Sequence, residues 1–571
     1  ADTPAPAVLL FHGYQNDKDT SSTYALELAR RGIVAMCLDA YGHGDTTEGL
    51  RAHGYATRKL PGWDKEITGP ERFLVMMSFS TNDFFTLEGV QESNLDTAMG
   101  GRQALQVLLS LPFVDAENIG FTGHSMGTWA SWSMAAYYPE HKAVVLQCGE
   151  LFPGSYYDSD TVQFNNVLLL QAKYDEFTMF MDYTLSTDGL LDTPLRYHDF
   201  ALQDAPIQWD TTYGDFADGT ARRIQLLSNV NHRLTTVSHE GIATTVDWFC
   251  EAFSLDPAIA SGNQIGQTKE LFLLIGTLAA ALSTLPLMLM LLKLRFFSSA
   301  AQPLPEAPRA ILPKKRWRTT AWISIAISAV TYPFITQLGH GLFPYPEKVF
   351  RMTVGNGIIL WFFVLALIAL LMLRRWMRKG EGRRLGTTLY DLGAATQANQ
   401  TRLPWAVIGK SALIAGILFA WMYGCVSLFQ KFWLVDFRYV WPLFRPFDNT
   451  IRLGQFLLYL PFYGFFFVIS GGVKLFGQMR MPRLQNPAKE QLVWWLKSVF
   501  VMLGGLFIIA LIEYIPFFLG AGPGMNILFT STFGGPMISF LIVIIPQFIV
   551  LFFLVAYCYR RTGLIYIGSF L

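Results

Sequence analysis

The sequence predicts an α/β domain built on a doubly wound, mostly parallel sheet, followed by an all-α polytopic transmembrane domain of about seven helices. Three observations predict it. Residues 1–258 alternate short apolar runs with helical patterns, as parallel strands joined by crossover helices do. Beyond residue 262 long uncharged runs recur. Charge divides at the same place: Asp and Glu number 34 before residue 263 and 9 after it, Lys and Arg 15 and 29. The formal net charge of +1 is therefore a cancellation between an acidic part and a basic one. Only 15% of residues are charged, against about 25% in an ordinary soluble chain, and 52% are hydrophobic. That composition argues against a disordered, nucleic-acid-binding or disulfide-stapled protein.

The strands expected in order are Ala7–Phe11, Ile33–Leu38, Ile119–Thr122, Ala143–Gln147, Val167–Gln171 and Arg223–Ser228. Helices are expected over Ser22–Arg31, Leu95–Ser110, Gly127–Tyr138 and Gly241–Phe253. Such sheets carry ligands at the carboxyl ends of their strands. Residues 259–270 read as a linker. Leu271–Leu292 is then an uncharged run of 22 residues, enough at about 1.5 Å per residue to cross a hydrocarbon core of about 30 Å. Further spans are expected over Thr319–Gly339, Val354–Leu373, Ser411–Phe429, Leu453–Val473, Ser498–Leu519 and Pro536–Cys558, completing a membrane domain over 271–571.

Every second connection between these spans is basic. Lys293, Arg295, Arg309, Lys314, Lys315, Arg316 and Arg318 fill the first, and comparable clusters fill the third, the fifth and the segment after the last span. Short Lys/Arg-rich loops stay in the cytoplasm, so the charge pattern predicts a bacterial-type plasma-membrane protein with the N-terminal domain outside. An exported domain needs a signal peptide or anchor, which is expected upstream of Ala1, and the apolar stretch Gly563–Leu571 is expected to open a further span. Polar groups in the spans are few. Gln337, His340 and Glu513 stand near span ends and read as interfacial, while Gly520–Pro536 reads as a broken or re-entrant loop. The five cysteines are scattered singly and read as buried thiols, with no metal-ligand spacing and no metal or organic cofactor expected.

Chemistry is concentrated at Gly123-His124-Ser125-Met126-Gly127, a G-x-S-x-G pentapeptide between the third expected strand and an apolar helix. There a sharp turn lifts the serine hydroxyl clear of the sheet, and the glycines relieve backbone crowding. With Val8-Leu9-Leu10-Phe11-His12-Gly13, Leu38-Asp39-Ala40-Tyr41-Gly42-His43-Gly44-Asp45, the lead-in Val114–Phe121 and the Asp247-Trp248-Phe249 helix, the chain resembles the α/β-hydrolase superfamily over residues 5–253. The likeness is to its dienelactone-hydrolase-like and prolyl-oligopeptidase-like branch. Asp45-Thr46 stands where many members have Asp-Ser or Glu-Ser. Cysteine-nucleophile members are not matched, because Ser125 holds that position.

The resemblance implies a Ser-His-Asp triad. Ser125 is the nucleophile by position, and Asp175 stands where the family puts its acid, with Glu176 and Glu150 as alternatives. His232 is the base implied by the distance to Trp248; His239 is the competitor and is expected to open the last helix. His12, His43 and His124 read as hydrogen-bonded turn residues. An oxyanion hole would use the backbone N–H groups of Tyr14 and Met126. Aromatic-rich stretches Thr46–Ser93 and Phe177–Thr220 read either as a rim over the serine or as packing on the sheet's flank. The function implied is a membrane-anchored serine esterase of small-molecule or lipid esters, needing a bilayer and no nucleic acid. An acyltransferase on lipid or envelope polymer, a serine peptidase, and a transporter or sensor with a hydrolase-fold binding domain are the alternatives.

Overall fold

A computed structural model describes residues 4–46, 98–149, 164–178, 187–192, 206–304, 312–342, 349–437, 450–520 and 535–571. Two compact units account for the chain. The first comprises Ala1–Leu273, Arg438–Pro442 and Glu513–Ser539, and the second Leu274–Phe437, Leu443–Ile512 and Phe540–Leu571.

Among the described residues the first unit is built on a seven-stranded sheet. Its strands are β1 (Ala5–Phe11), β2 (Val34–Leu38), β3 (Val114–His124), β4 (Ala143–Gln147), β5 (Val167–Tyr174), β6 (Thr212–Tyr213) and β7 (Arg222–Asn231). The order is β2-β1-β3-β4-β5-β7-β6, parallel except for β6, which pairs antiparallel with β7. All six strands expected from the sequence are present, and several run longer at their ends. The two-residue β6 lacks a run long enough to be seen by periodicity.

Strand side chains alternate between two cores. On one face Leu9, Phe11 and Phe121 meet α2 (Gly101–Leu109) and α3 (Met126–Tyr137) through Leu105, Leu108, Ala130 and Met134. On the other, Val8, Leu10, Leu168 and Leu170 meet α1 (Ser22–Ala29) and α4 (His239–Ala252) through Tyr24, Leu28, Ile242, Val246 and Phe249. Each Leu so buried contributes about 2 kcal/mol of transfer free energy. Strand order runs outward in opposite directions from β1 and β3, so the loops after these two parallel strands flank the topological switch point.

The stretch 259–270, expected to be a plain linker, is tied to α1. Arg31 donates to the carbonyls of Ile259, Ala260, Ser261 and Asn263, while the Glu27 carboxylate accepts from the N–H groups of Ile265 and Gly266. A carboxylate on the first N–H groups caps the next helix and favours its dipole. That helix accordingly starts at Gly266, five residues before the expected Leu271.

Among the described residues seven helices are long and apolar enough to cross a membrane: Gly266–Lys293, Lys314–Gly339, Val354–Arg384, Trp405–Trp433, Thr450–Gln478, Pro487–Phe518 and Phe540–Thr562. Each overlaps one expected span, and most reach past the uncharged run into their polar flanks. Within the second unit Glu490 is 1% exposed and is held by Arg483 and Arg560. In the apolar tail Tyr566–Phe570 is a short helix, and Leu564 and Ile567 are fully buried. Gln337 is buried and donates to the Pro333 carbonyl, and Glu513 is fully buried. The side chain of His340, most of Gly520–Pro536 and nearly all of Thr46–Ser93 lie outside the described residues. The five cysteines are unpaired; Cys148, Cys250 and Cys558 are buried and the other two partly so.

Candidate active site

The candidate nucleophile sits where β3 turns into α3. Ser125 has φ 54° and ψ −118°, a backbone conformation costing about 1–3 kcal/mol and maintained only where packing over-determines it. The surroundings do so. Ser125 N–H donates to Gln147 O at 2.9 Å, and Ser125 O accepts from Thr128 N and Oγ1 at 2.8 and 2.7 Å. The flanking glycines are required by close approach: a Cβ on Gly127 would stand 2.5 Å from Phe11 O, and one on Gly123 would stand 2.2 Å from Gly127 O. Ser125 is half-buried.

Asp175 follows β5 and His232 follows β7, neighbouring parallel strands, so the pairing of Tyr174 with Asn231 brings the two side chains together from 57 residues apart. His232 Nδ1 lies 2.9 Å from both Asp175 oxygens. A carboxylate can only accept, so Nδ1 carries the proton and Nε2 is left as the acceptor. Phe177 N–H and Gln171 Nε2 donate to the remaining Asp175 lone pairs at 2.9 and 3.2 Å. Asp175 and His232 are 2% and 4% exposed, and these hydrogen bonds hold the carboxyl group in place beside the ring.

Three further groups hold His232. His124 donates from Nε2 to His232 O at 2.8 Å, with ring centroids 4.8 Å apart; Glu176 Oε2 accepts His232 N–H at 3.1 Å; and the Phe177 ring stands 4.5 Å away. Burial, then the charge His232 can carry, holds His124 well below the ordinary imidazole pKa, so it stays the neutral donor this contact needs. Sequence reasoning read His124 as a plain turn residue and Glu176 only as an alternative acid. His124's place beside the serine is the one signal that could have raised it. No Ser125 Oγ–His232 Nε2 hydrogen bond forms among the described residues; such bonds commonly tighten only with substrate.

His239 opens α4, exposed, with Nε2 3.1 Å from the Gly262 carbonyl, and has no contact with Asp175. Glu150 lies outside the described residues. Tyr14 follows the β1 turn, and Met126 N–H is at the first position of α3, where helical N–H groups lack intrahelical acceptors. His12 Nε2 accepts Ala40 N–H at 3.0 Å, and His43 Nδ1 is bonded to Tyr41 O at 2.9 Å, so both serve turns. Phe216 packs on Trp248 and joins the core flank, leaving Phe177 as the described aromatic of its stretch on the His232 ring.

Cys148 Sγ lies with Asp175 and His232 in a cluster spanning 4.8 Å. Its residues fit a hydrogen-bond network rather than a cation. Both Asp175 oxygens face Nδ1–H, Sγ accepts from Ala172 N–H and contacts Thr235 Oγ1 at 3.0 Å, and burial together with Asp175 keeps Cys148 a neutral thiol. Zinc-type ligation needs a thiolate and an unprotonated imidazole nitrogen aimed inward.

Residues 102–196 match the family described as BAAT / Acyl-CoA thioester hydrolase C terminal. No curated protein matches the chain. Among solved structures, a dienelactone-hydrolase-like promiscuous phosphotriesterase from metagenomic libraries is 16% identical over 44% of this chain and 87% of its own, with a TM-score of 0.28. A cold-adapted esterase from an Arctic intertidal metagenomic library is 20% identical over 44% of this chain and 84% of its own, with a TM-score of 0.24. The sheet order and the strained serine after β3 give the N-terminal part an α/β-hydrolase fold, within which residues 102–196 are similar to a thioester hydrolase family, and the same chain carries, among its described residues, seven helices long and apolar enough to cross a membrane.

Proposed function

We propose that the domain is a serine hydrolase that cleaves carboxylic esters through an acyl-enzyme, anchored in a bacterial-type plasma membrane with its catalytic face outside. The observation carrying this reading is the Asp175–His232 pair, whose 2.9 Å contacts leave Nε2 as the acceptor on the loop beside the Ser125 elbow. Ser125 Oγ attacks the acyl carbon as its proton passes to Nε2, and the negative oxygen takes the N–H groups of Tyr14 and Met126. Collapse breaks the ester C–O bond, and His232 returns the proton to the leaving alcohol. Water then repeats the sequence on the acyl-enzyme, giving the acid and restoring Ser125. Asp175 holds the tautomer and offsets the charge on the imidazolium. Orientation rests on the basic clusters in alternate connections.

A second reading has one observation in its favour. The matched family's description names acyl-CoA thioester hydrolases, and its match spans Ser125 and Asp175, so a thioester is an alternative acyl donor for the same triad.

The test is labelling of membranes with a fluorophosphonate probe. Wild type is expected to label, and Ser125→Ala and His232→Ala to fail, with His239→Ala unchanged. Persistent labelling of Ser125→Ala would overturn the nucleophile, and a protease-protected domain in intact spheroplasts would overturn the orientation.

A further inference from the structure

Glu176 does not share Asp175's place at Nδ1; it grips the backbone that carries the histidine. Its Oε2 accepts His232 N–H at 3.1 Å, and its Oε1 accepts Asn231 Nδ2 at 3.0 Å. The same Oε1 accepts the hydroxyl of Tyr514, which also lies 3.1 Å from Asn231 Nδ2. Asn231 closes the turn by accepting Leu234 N–H at 3.0 Å. Tyr514 is 338 residues from Glu176, in the last turn of helix Pro487–Phe518, within the Glu513–Ser539 stretch that belongs to the hydrolase unit. Beside it, Phe517 and Phe518 set their rings 6.3 and 5.2 Å from that of Tyr174, the residue before Asp175.

We infer that Tyr514 is a positioning residue for the acid and base: through Glu176 it fixes the His232 backbone, and with Phe517 and Phe518 it braces the strand end that presents Asp175. The inference rests on the reading of Ser125, His232 and Asp175 as a triad. It makes the site depend on a hydroxyl supplied from the far end of the sixth apolar helix. A buried carboxylate that accepts three donors holds them only while ionised, and losing one donor leaves it short where water cannot replace it. The groups facing Glu176 are Asp175 and His232 from the loops, and Tyr514, with Glu513 next to it, from the helix. Burial and then the Asp175 charge push the Glu176 carboxyl up, and the Tyr514 hydroxyl opposes them. Removing that hydroxyl therefore lets Glu176 take a proton at higher pH and release the His232 N–H.

The experiment uses the full chain in nanodiscs, with fluorophosphonate labelling rates and p-nitrophenyl butyrate hydrolysis measured across pH. Tyr514→Phe is expected to slow labelling and kcat about tenfold, as loss of a hydrogen bond to a charged group does, with KM little changed. Its acid limb should move to higher pH. Glu176→Gln, which cannot titrate, should lose rate without that movement, and Leu511→Ala, on the same helix with its side chain exposed, should behave as wild type. Tyr514→Phe with wild-type rate and acid limb overturns the inference, as does an equal loss in Leu511→Ala. If Ser125→Ala still labels, the triad reading falls and takes this one with it. If Ser125→Ala is silent while Tyr514→Phe is unaltered, this inference alone fails.

Discussion

The two halves of the chain use the same apolar residue types in opposite ways. In the hydrolase unit the apolar strands face inward: Ala7, Val8 and Leu9 are fully buried. In the helical region the most apolar window of each helix is only 22–50% buried, and Leu371, Trp405 and Met290 are 58%, 72% and 64% exposed. Water drives the first arrangement, because burial is the only way to remove apolar area from it. A hydrocarbon solvent removes that pressure, leaving close packing and satisfied polar groups to hold the helices. The buried carboxylates divide the same way: Asp175 faces an imidazole, Glu490 two arginines.

The sharpest way to break this comparison is to neutralise one carboxylate in each half. Asp175→Asn should lower kcat about 10⁴-fold, since the amide stabilises the wrong imidazole tautomer, while the melting temperature moves little. Glu490→Gln should do the reverse: about 3 kcal/mol of stability lost in detergent melts, because Arg560 keeps a buried charge without its partner, and unchanged kcat in the folded fraction. Equal rate losses from both would sink the division.

Paired leucines sharpen the solvent argument. Leu9→Ala should cost about 3 kcal/mol, transfer plus cavity, whereas Leu371→Ala in nanodiscs should stay within about 0.5 kcal/mol. A large loss at Leu371 in thermal melts would place a protein neighbour there.

The smallest effect concerns pH. His124 has its folded pKa depressed, by burial first, below the ordinary value of 6.5. The stability this contributes is whole above pH 6.5 and is lost as pH falls from there toward the folded value. The slope is at most about 1.4 kcal/mol per pH unit. His124→Asn should flatten the acid side of the melting curve by that one proton's share; an unchanged slope would refute it.

Periodicity and composition carried every strand of the sheet but β6, the four crossover helices and the seven apolar helices, because period-2 and uncharged runs are local signals. Ser125 was legible for the same reason, since the elbow's chemistry and its glycines are contiguous. Asp175 and His232 were legible by order along the chain, but their meeting at 2.9 Å is a product of parallel β5–β7 pairing. His124's grip on the His232 carbonyl and the change of Glu176 from alternative acid to backbone anchor depended on loop geometry, which no spacing encodes.

The amino-acid sequence by itself determined the division of the chain, the sheet and helix periods, and the serine elbow, since each follows from residues close together along the chain. Tertiary structure alone decided which carboxylate faces Nδ1, that Arg31 and Glu27 bind the linker, and that Tyr514 reaches Glu176. Those contacts join residues from 57 to 338 positions apart, and at such separations only folding, which fixes distance and direction together, makes partners of them.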